Sequence, residues 1–170
     1  VACVVPVGAR SGGKAGVAEH LQPGAILTDV GAVKRESVTA MSVELPSGLH
    51  LYPGHPISCT EQSGPDAGFA TLFEGAWHIL TPLDDMSGAY LAAIQDLTTF
   101  WTALGATVEN MDADRHDRVL AITSHLPHLI AYNIVSTAYD MEAVGEGEVV
   151  KYSAGGFRDF TRIAAPDPTM

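Results

Sequence analysis

The sequence has little cysteine and little positive charge. It contains only two cysteines, Cys3 and Cys59, among 170 residues, so it lacks a disulfide framework and a cytoplasmic location is expected. Nine Lys and Arg stand against twenty Asp and Glu, which gives a net charge of −11. Because so acidic a surface repels phosphate backbones, we expect no nucleic-acid partner.

Long apolar runs are also missing. No uninterrupted run approaches the roughly 20 residues of a membrane helix, so we expect no membrane span. Hydrophobic residues nevertheless make up 46% of the chain and charged residues 17%, a composition typical of a packed core. The apolar run 1–5 begins without a preceding turn or an initiator Met, and residues 165–170 end without a cap. We therefore expect both ends to be truncations of a longer protein.

The first half of the chain alternates between two patterns. Short apolar runs bounded by Gly and Pro predict strands, and stretches with helical spacing lie between them. Gly105 is expected to be the left-handed residue that ends the second helix. The alternation predicts a mostly parallel α/β sheet, with strands at 1–5, 25–30, 49–52, 77–80 and 106–109 and helices at 31–40 and 89–104.

The second half is helical. Apolar residues at helical spacing predict one long helix over 114–141, with Asp112 or Asp114 as its N-cap and a kink at Pro127. A last helix is expected at about 157–164. The change of pattern predicts an α/β domain over 1–111 and an all-helical domain over 112–170.

A histidine follows one of the predicted strands. His55 lies between Gly54 and Pro56, on a short turn beyond the strand 49–52, where open α/β sheets bind their ligands. A neutral imidazole there can accept a proton from a substrate hydroxyl, and Glu61 could orient the ring. The alternative is an ordinary loop histidine that hydrogen-bonds the backbone.

The long helix carries further polar groups. On a regular helix His116, Ser124 and His128 can share one face, whereas His125 points about 180° from His116. The alternative is that these side chains are partly buried and satisfied by the backbone. A zinc site needs three or four converging ligands, so no metal is expected here.

The last predicted helix is a candidate anion site. Two glycines open it, and Arg158 and Arg162 follow four residues apart, with Asp159 able to orient one of them. The planar guanidinium group is suited to a carboxylate. The alternative is a surface helix with an ordinary ion pair.

Six blocks of sequence together resemble the prephenate/arogenate (cyclohexadienyl) dehydrogenase family. They occur in the family's order along the whole chain, at residues 28–34, 53–57, 60–65, 79–82, 123–128 and 155–164. The resemblance implies a Rossmann-like NAD(P)-binding domain, then a helical domain that forms a homodimer. It also implies oxidative decarboxylation of prephenate or arogenate with NAD or NADP, in tyrosine biosynthesis.

The resemblance also implies roles for individual residues. His55 matches the catalytic histidine that hydrogen-bonds the ring hydroxyl, and Arg162 matches the arginine that holds a substrate carboxylate, with Asp159 in support. Four further matches line the substrate site, namely Glu61, His116, Ser124 and His128. The residues implied on the cofactor side are Pro6, Val7, Gly31 and Ala32, with the glycine-rich dinucleotide loop upstream of residue 1.

One position departs from the family pattern. Where Ala32 stands, members commonly carry a Ser or Thr whose hydroxyl bonds near the catalytic histidine, and losing such a donor costs roughly 1–3 kcal/mol. The departure suggests an alternative to the enzyme, namely a non-catalytic dimerisation or tyrosine-sensing module derived from the family.

Overall fold

The computed structural model of the chain describes residues 2–3, 20–42, 46, 48–58, 65–84, 87–142 and 148–164. They belong to two compact units. The first unit is drawn from residues 1–59 and 68–118, and the second from residues 60–67 and 119–170.

The first unit is a five-stranded sheet with helices. Its strands are β1 (Ala2–Cys3), β2 (Ile26–Asp29), β3 (His50–Ile57), β4 (Trp77–Leu80) and β5 (Thr107–Asn110), in the spatial order β1-β2-β3-β4-β5. Its helices are α1 (Lys34–Ser42), α2 (Gly88–Ala103) and α3 (Ala113–Leu120), the last of which ends two residues inside the second unit.

The sheet of the described strands is mostly parallel, as expected, but one of its four pairings is antiparallel. Strands β1, β2 and β3 are parallel to one another and β4 is parallel to β5, but β4 runs antiparallel to β3. A parallel return needs a crossover helix. Between β3 and β4 the described residues hold only a 3₁₀ turn at Pro65–Ala67 and further turns, and the chain reverses.

Strand β3 is twice as long as the apolar pattern predicted. Residues 50–53 pair with β2, and residues 54–57 pair with β4. Each half of β3 forms backbone hydrogen bonds with only one neighbouring strand. Pro53 and Pro56, which have no N–H to donate, can therefore occupy this strand without breaking a backbone hydrogen bond of the sheet. His55 therefore lies within a strand, and the prediction that it occupies a turn is wrong.

The core of the first unit lies between α2 and the sheet. Helix α2 buries a face at helical spacing, made of Tyr90, Ala93, Leu97 and Trp101, against Tyr52 and Leu80. The rings of Tyr52 and Tyr90 stack with centroids 4.1 Å apart. Helix α2 thereby fixes the strand that carries His55.

Helix α2 ends as predicted. Gly105 has φ +87°. Its N–H bonds the carbonyl of Thr102, and the N–H of Ala106 bonds the carbonyl of Trp101, both at about the usual length. This is the Schellman arrangement, in which a left-handed residue satisfies the last free carbonyls of a helix.

The long predicted helix is interrupted. Helix α3 passes into a π turn at Ala121–His125, and α4 then runs over Leu126–Glu142. The Leu126 N–H bonds the carbonyl of Ala121, five residues back. The kink predicted at Pro127 is therefore a π turn just before this proline, whose nitrogen cannot donate a helical hydrogen bond. Asp112 is the cap, since its carboxylate accepts the Arg115 N–H at 2.8 Å.

The part of the second unit that the structure describes holds three more short elements after α4. These are α5 (Glu148–Lys151), α6 (Gly155–Thr161) and a 3₁₀ turn at Arg162–Ala164, and each packs on α4. The last helix thus begins at Gly155, two residues earlier than expected, and its final turn at Arg162–Ala164 is a 3₁₀ turn.

The continuous helical stretch Ala113–Glu142 has a property that the sequence reading did not anticipate. Over 30 residues it reaches a mean hydropathy of 1.2 in its most apolar window, and 11% of that window is buried. By length and composition alone it could cross a membrane. One such helix is weak evidence for a membrane span, because a core helix of a water-soluble protein can pass the same test.

Gly54 offers a test of the packing around β3. A Cβ added there would lie 2.7 Å from His78 Nε2 and 3.2 Å from the Asp29 carbonyl oxygen. We expect Gly54→Ala to lower the free energy of unfolding by about 1–3 kcal/mol, measured by urea denaturation. Gly88→Ala is the matched control, since no described residue lies within 4 Å of its added Cβ. Equal stability of the two variants would contradict the packing described.

Candidate active site

His55 lies at the centre of a buried polar network in the first unit. It sits on β3 with 8% of its surface exposed. Its Nδ1 is 2.9 Å from Nε2 of His116 on α3, and His116 is fully buried. The structure therefore brings together two of the histidines that sequence reasoning selected.

Asp117 extends this network to helix α1. Its Oδ1 lies 2.8 Å from Nδ1 of His116. The same carboxylate accepts the backbone N–H groups of Lys34 at 2.8 Å and of Arg35 at 3.0 Å. Asp117 thus caps the N-terminus of α1 and holds the ring of His116 at once.

A buried ion pair lies beside the histidines. The ammonium of Lys34 donates to both carboxylate oxygens of Asp29 at 2.7 Å and to the carbonyl of Gly54 at 2.5 Å. Both side chains are fully buried. The Asp29 carboxylate also accepts the N–H of Gly54 at 3.2 Å. One ion pair therefore joins the end of β2, the start of α1 and the residue before His55.

The surroundings keep His55 neutral. Burial, His116 and Lys34 lower the pKa of His55 to about 3, and His78 adds to this, while Asp29 opposes it. Desolvation is the largest cause, and the Lys34 ammonium further disfavours the imidazolium form. At neutral pH the ring is therefore neutral, and one of its nitrogens keeps a lone pair.

His78 is a further buried histidine that sequence reasoning missed. It lies on β4, and its ring stacks on Trp101 with centroids 3.8 Å apart. Burial first, then Lys34, lowers its pKa to about 4. Neither ring nitrogen has a hydrogen-bond partner among the described residues. No sequence signal distinguishes it, because an apolar strand containing one histidine is typical of many cores.

Two other members of this network were also missed as site residues. Asp117 follows His116 directly, and its contact with α1 joins residues 83 positions apart, which no local pattern reveals. Lys34 belongs to the block 28–34 that resembles the family, but a lysine is expected at the surface because of its charge.

Gly31 and Ala32, expected on the cofactor side, occupy the turn between β2 and α1. The N–H of Gly31 donates to the Asp29 carboxylate at 3.1 Å, and Ala32 is exposed. The other predicted cofactor residues, Pro6 and Val7, lie outside the described residues, as does Glu61.

The remaining predicted site residues belong to the second unit. Nδ1 of His128 lies 2.8 Å from the carbonyl oxygen of Ser124, which corresponds to the backbone-satisfied alternative for this ring. Ser124 lies within the π turn at Ala121–His125, where the regular helical spacing used in the prediction is interrupted. Asp159 on α6 and Arg162 just after it are exposed. Among the described residues no cluster of three potential metal ligands occurs.

The first unit has the Rossmann-like sheet of a nucleotide-binding domain, with a buried histidine on its third strand. Residues 1–110 match the family profile "Prephenate dehydrogenase, nucleotide-binding domain", and residues 112–170 match "Prephenate dehydrogenase, dimerization domain". The chain belongs to the prephenate dehydrogenase family. Its Rossmann-like domain followed by a helical dimerisation domain is the fold expected from the sequence.

Individual relatives agree with this family. A cyclohexadienyl dehydrogenase of Zymomonas mobilis is 40% identical over 166 residues, which cover 98% of this chain and 55% of that protein. The crystal structure of Aquifex aeolicus prephenate dehydrogenase matches with a TM-score of 0.83 at 33% identity, covering 99% of this chain and 58% of that one.

A second structure of the Aquifex aeolicus enzyme contains hydroxyphenyl propionate and NAD⁺. It matches with a TM-score of 0.80 at 32% identity, covering 99% of this chain and 57% of that one. The chain therefore spans a little more than half the length of these relatives.

Because folding lowers the pKa of both His55 and His78, we expect acid to destabilise the folded state. His55 and His78 take up protons near pH 6.5 when unfolded but only near pH 3 and 4 when folded. The unfolded state therefore binds more protons between these values, and each ring lowers the free energy of unfolding by up to about 1.4 kcal/mol per pH unit below 6.5. We expect urea denaturation at pH 7, 6 and 5 to show this slope.

A His78→Phe variant isolates one of the two contributions. It removes a titrating group and two unpartnered ring nitrogens while keeping an aromatic ring against Trp101. We expect its stability to depend on pH about half as steeply as that of the wild type. An unchanged slope, or a flat wild-type profile, would contradict the burial of these rings.

Proposed function

We propose that the complete gene product containing this chain oxidatively decarboxylates prephenate, arogenate or both, with hydride transfer to NAD or NADP, in tyrosine biosynthesis. The observation that carries the proposal is His55, a buried and neutral imidazole beside the β2–α1 turn. Membership of the prephenate dehydrogenase family and the relatives' names give the substrate class. A cytoplasmic location belongs to the same proposal.

The β2–α1 turn fits the nicotinamide end of the cofactor. Gly31 and Ala32 would hold it, since Ala32 is exposed and its small side chain lets a flat ring approach. The Asp29 and Lys34 bonds to Gly54 tie this turn to the residue before His55. Asp117 already occupies the first amides of α1, so we do not assign the cofactor's diphosphate to that helix end. When bound, the oxidised nicotinamide supplies the hydride acceptor.

His55 acts as the general base. Its ring accepts the proton of the substrate's C4 hydroxyl while the C4–H bond gives up a hydride, and C4 becomes a ketone. The bond from C1 to its carboxylate then breaks, CO₂ leaves, and the electron pair enters the ring to form a phenolate. The phenolate takes back the proton from His55, so the imidazole ends neutral. Aromatisation of the ring makes the overall reaction effectively irreversible.

Other predicted residues bind the dianionic substrate in this proposal. Arg162 holds a substrate carboxylate, supported by Asp159, and the substrate pocket further includes Glu61, His116, Ser124 and His128. The resemblance supports these assignments. His116 is fully buried with its two ring nitrogens against His55 and Asp117, so it would act on the substrate through the His55 ring.

A homodimer through the helical domain is also part of the proposal. The second unit exposes large apolar side chains on α4, among them Leu129, Tyr139 and Met141. A groove of about 590 Å³ runs beside them and is lined also by Val149 and Phe157. Exposed apolar surface of this kind marks an interface, and the matching family profile is named for dimerisation. We propose that the boundary between the α/β domain and the helical domain lies between residues 111 and 112.

The direct test follows reduced nicotinamide absorbance with prephenate or arogenate as substrate. We expect His55→Asn to lower kcat by about 10²- to 10⁴-fold, because the hydroxyl proton loses its acceptor. His125→Asn is the matched control, since His125 is exposed and carries no assigned role. Full activity in His55→Asn would overturn the role of His55. A wild type that binds tyrosine without turnover would favour the sensing module suggested by Ala32.

Arg162 has its own test. We expect Arg162→Gln to raise KM by about 10- to 100-fold, because a charged hydrogen bond to the substrate carboxylate is lost, with a smaller change in kcat. Arg158→Gln removes the same charge from the same exposed helix end and should leave KM nearly unchanged. Equal effects of the two variants would show that only general charge matters.

A further inference from the structure

We propose that Asp117 is a positioning residue that fixes the ring tautomer of His55 through His116. The inference rests on the proposed dehydrogenase function and adds a residue to it. Asp117 is not itself placed against the reacting atoms. Its effect passes along a chain of contacts from its carboxylate to His116 and from His116 to His55, at 2.8 and 2.9 Å.

The backbone determines the direction of the first contact. The N–H groups of Lys34 and Arg35 can only donate, so both oxygens of Asp117 must accept. Oδ1, which receives the Lys34 N–H, is the same atom that faces His116. Nδ1 of His116 must therefore carry the proton in this contact.

The remaining steps follow from the chemistry of a neutral imidazole. When Nδ1 of His116 holds the proton, its Nε2 has a lone pair and accepts. Nδ1 of His55, 2.9 Å away, must then donate. The lone pair of His55 is left on Nε2, which the described contacts do not use. This tautomer is the one that can take a hydroxyl proton at Nε2.

The environment of Asp117 supports its role as a constant acceptor. Burial tends to raise the pKa of Asp117, but the two α1 amides and His116 together hold it below its usual value. Among the described residues, the other charged or titratable groups that act on His55 are Asp29, Lys34 and His78. Asp29 and Lys34 are paired with each other. The Asp117 carboxylate therefore stays ionised over the pH range in which His55 works.

The proposal requires that His116 stay singly protonated. A doubly protonated His116 would donate from Nε2 to Nδ1 of His55, and the His55 proton would then sit on Nε2, where it blocks the base. The two states of His116 thus give opposite tautomers of His55. Measuring the tautomer decides between them.

The first experiment is NMR of the complete gene product labelled with ¹⁵N-histidine. Two-bond correlations between carbon-bound protons and ring nitrogens report the tautomer, and a His55→Asn sample assigns the signals. We expect the His55 proton on Nδ1 in the wild type and a shift toward Nε2 in Asp117→Asn. A wild-type proton on Nε2 would overturn the proposal. Because this readout needs no turnover, it decides the tautomer even if the proposed reaction is absent.

The second experiment is kinetic. We expect Asp117→Asn to lower kcat by about 10²- to 10⁴-fold, as expected when a base is held in the wrong tautomer, with KM changed by less than about threefold. Asp114→Asn is the matched control, because it removes the same charge from the same helix and breaks only an exposed pair with Arg35. A kcat of Asp117→Asn within twofold of this control would overturn the proposal.

A double-mutant cycle separates positioning from the helix cap. Asp117→Asn also weakens the cap of α1, so some loss of thermal stability is expected in any background. In a His116→Gln background there is no ring to orient, so adding Asp117→Asn should lower kcat by less than about threefold while still lowering Tm. Full additivity of the two kcat losses would show that Asp117 acts only by stabilising the fold.

Discussion

The buried ion pair of Lys34 and Asp29 is the contact on which the geometry around His55 depends. It joins three separate elements, since Asp29 ends β2, Lys34 begins α1 and Gly54 lies on β3 just before His55. Removing one side chain of a fully buried ion pair leaves an uncompensated buried charge, which is strongly destabilising. The two side chains are therefore held together in the folded protein. The backbone of β3 is thereby held at the residue next to the base, and α1 begins where Asp117 can cap it.

This arrangement explains how an acidic protein keeps a histidine neutral. The chain carries a net charge of −11, which over the whole surface favours protonation. Around His55 the local balance is the reverse, because the ring is desolvated and the Lys34 ammonium stands close by. Local burial and one cation outweigh a distant excess of carboxylates that water and salt screen. The His55 ring is therefore neutral at neutral pH.

The sequence predicted β4 and helix α2 with its Gly105 cap closely, and it offered Asp112 as one of two candidate caps of α3. Each of these features depends on local chemistry that neighbouring residues reveal. It predicted β3 too short, since Pro53 and Pro56 read as a turn, and the change of strand partner that tolerates them is a long-range property. It selected His55 and His116 separately, and the structure brings their rings within 2.9 Å of each other. It missed Asp117, Lys34 and His78, whose importance arises only when α1, α3 and β4 meet around β3.

The central claim is that Nε2 of His55 receives the proton of a substrate hydroxyl. The most direct measurement is a crystal structure of the complete gene product with an oxidised nicotinamide dinucleotide and a phenolic analogue of the aromatic product. The account requires the phenol oxygen within about 3.2 Å of His55 Nε2. A phenol oxygen held by another group, with the His55 ring turned away from it, would contradict the account.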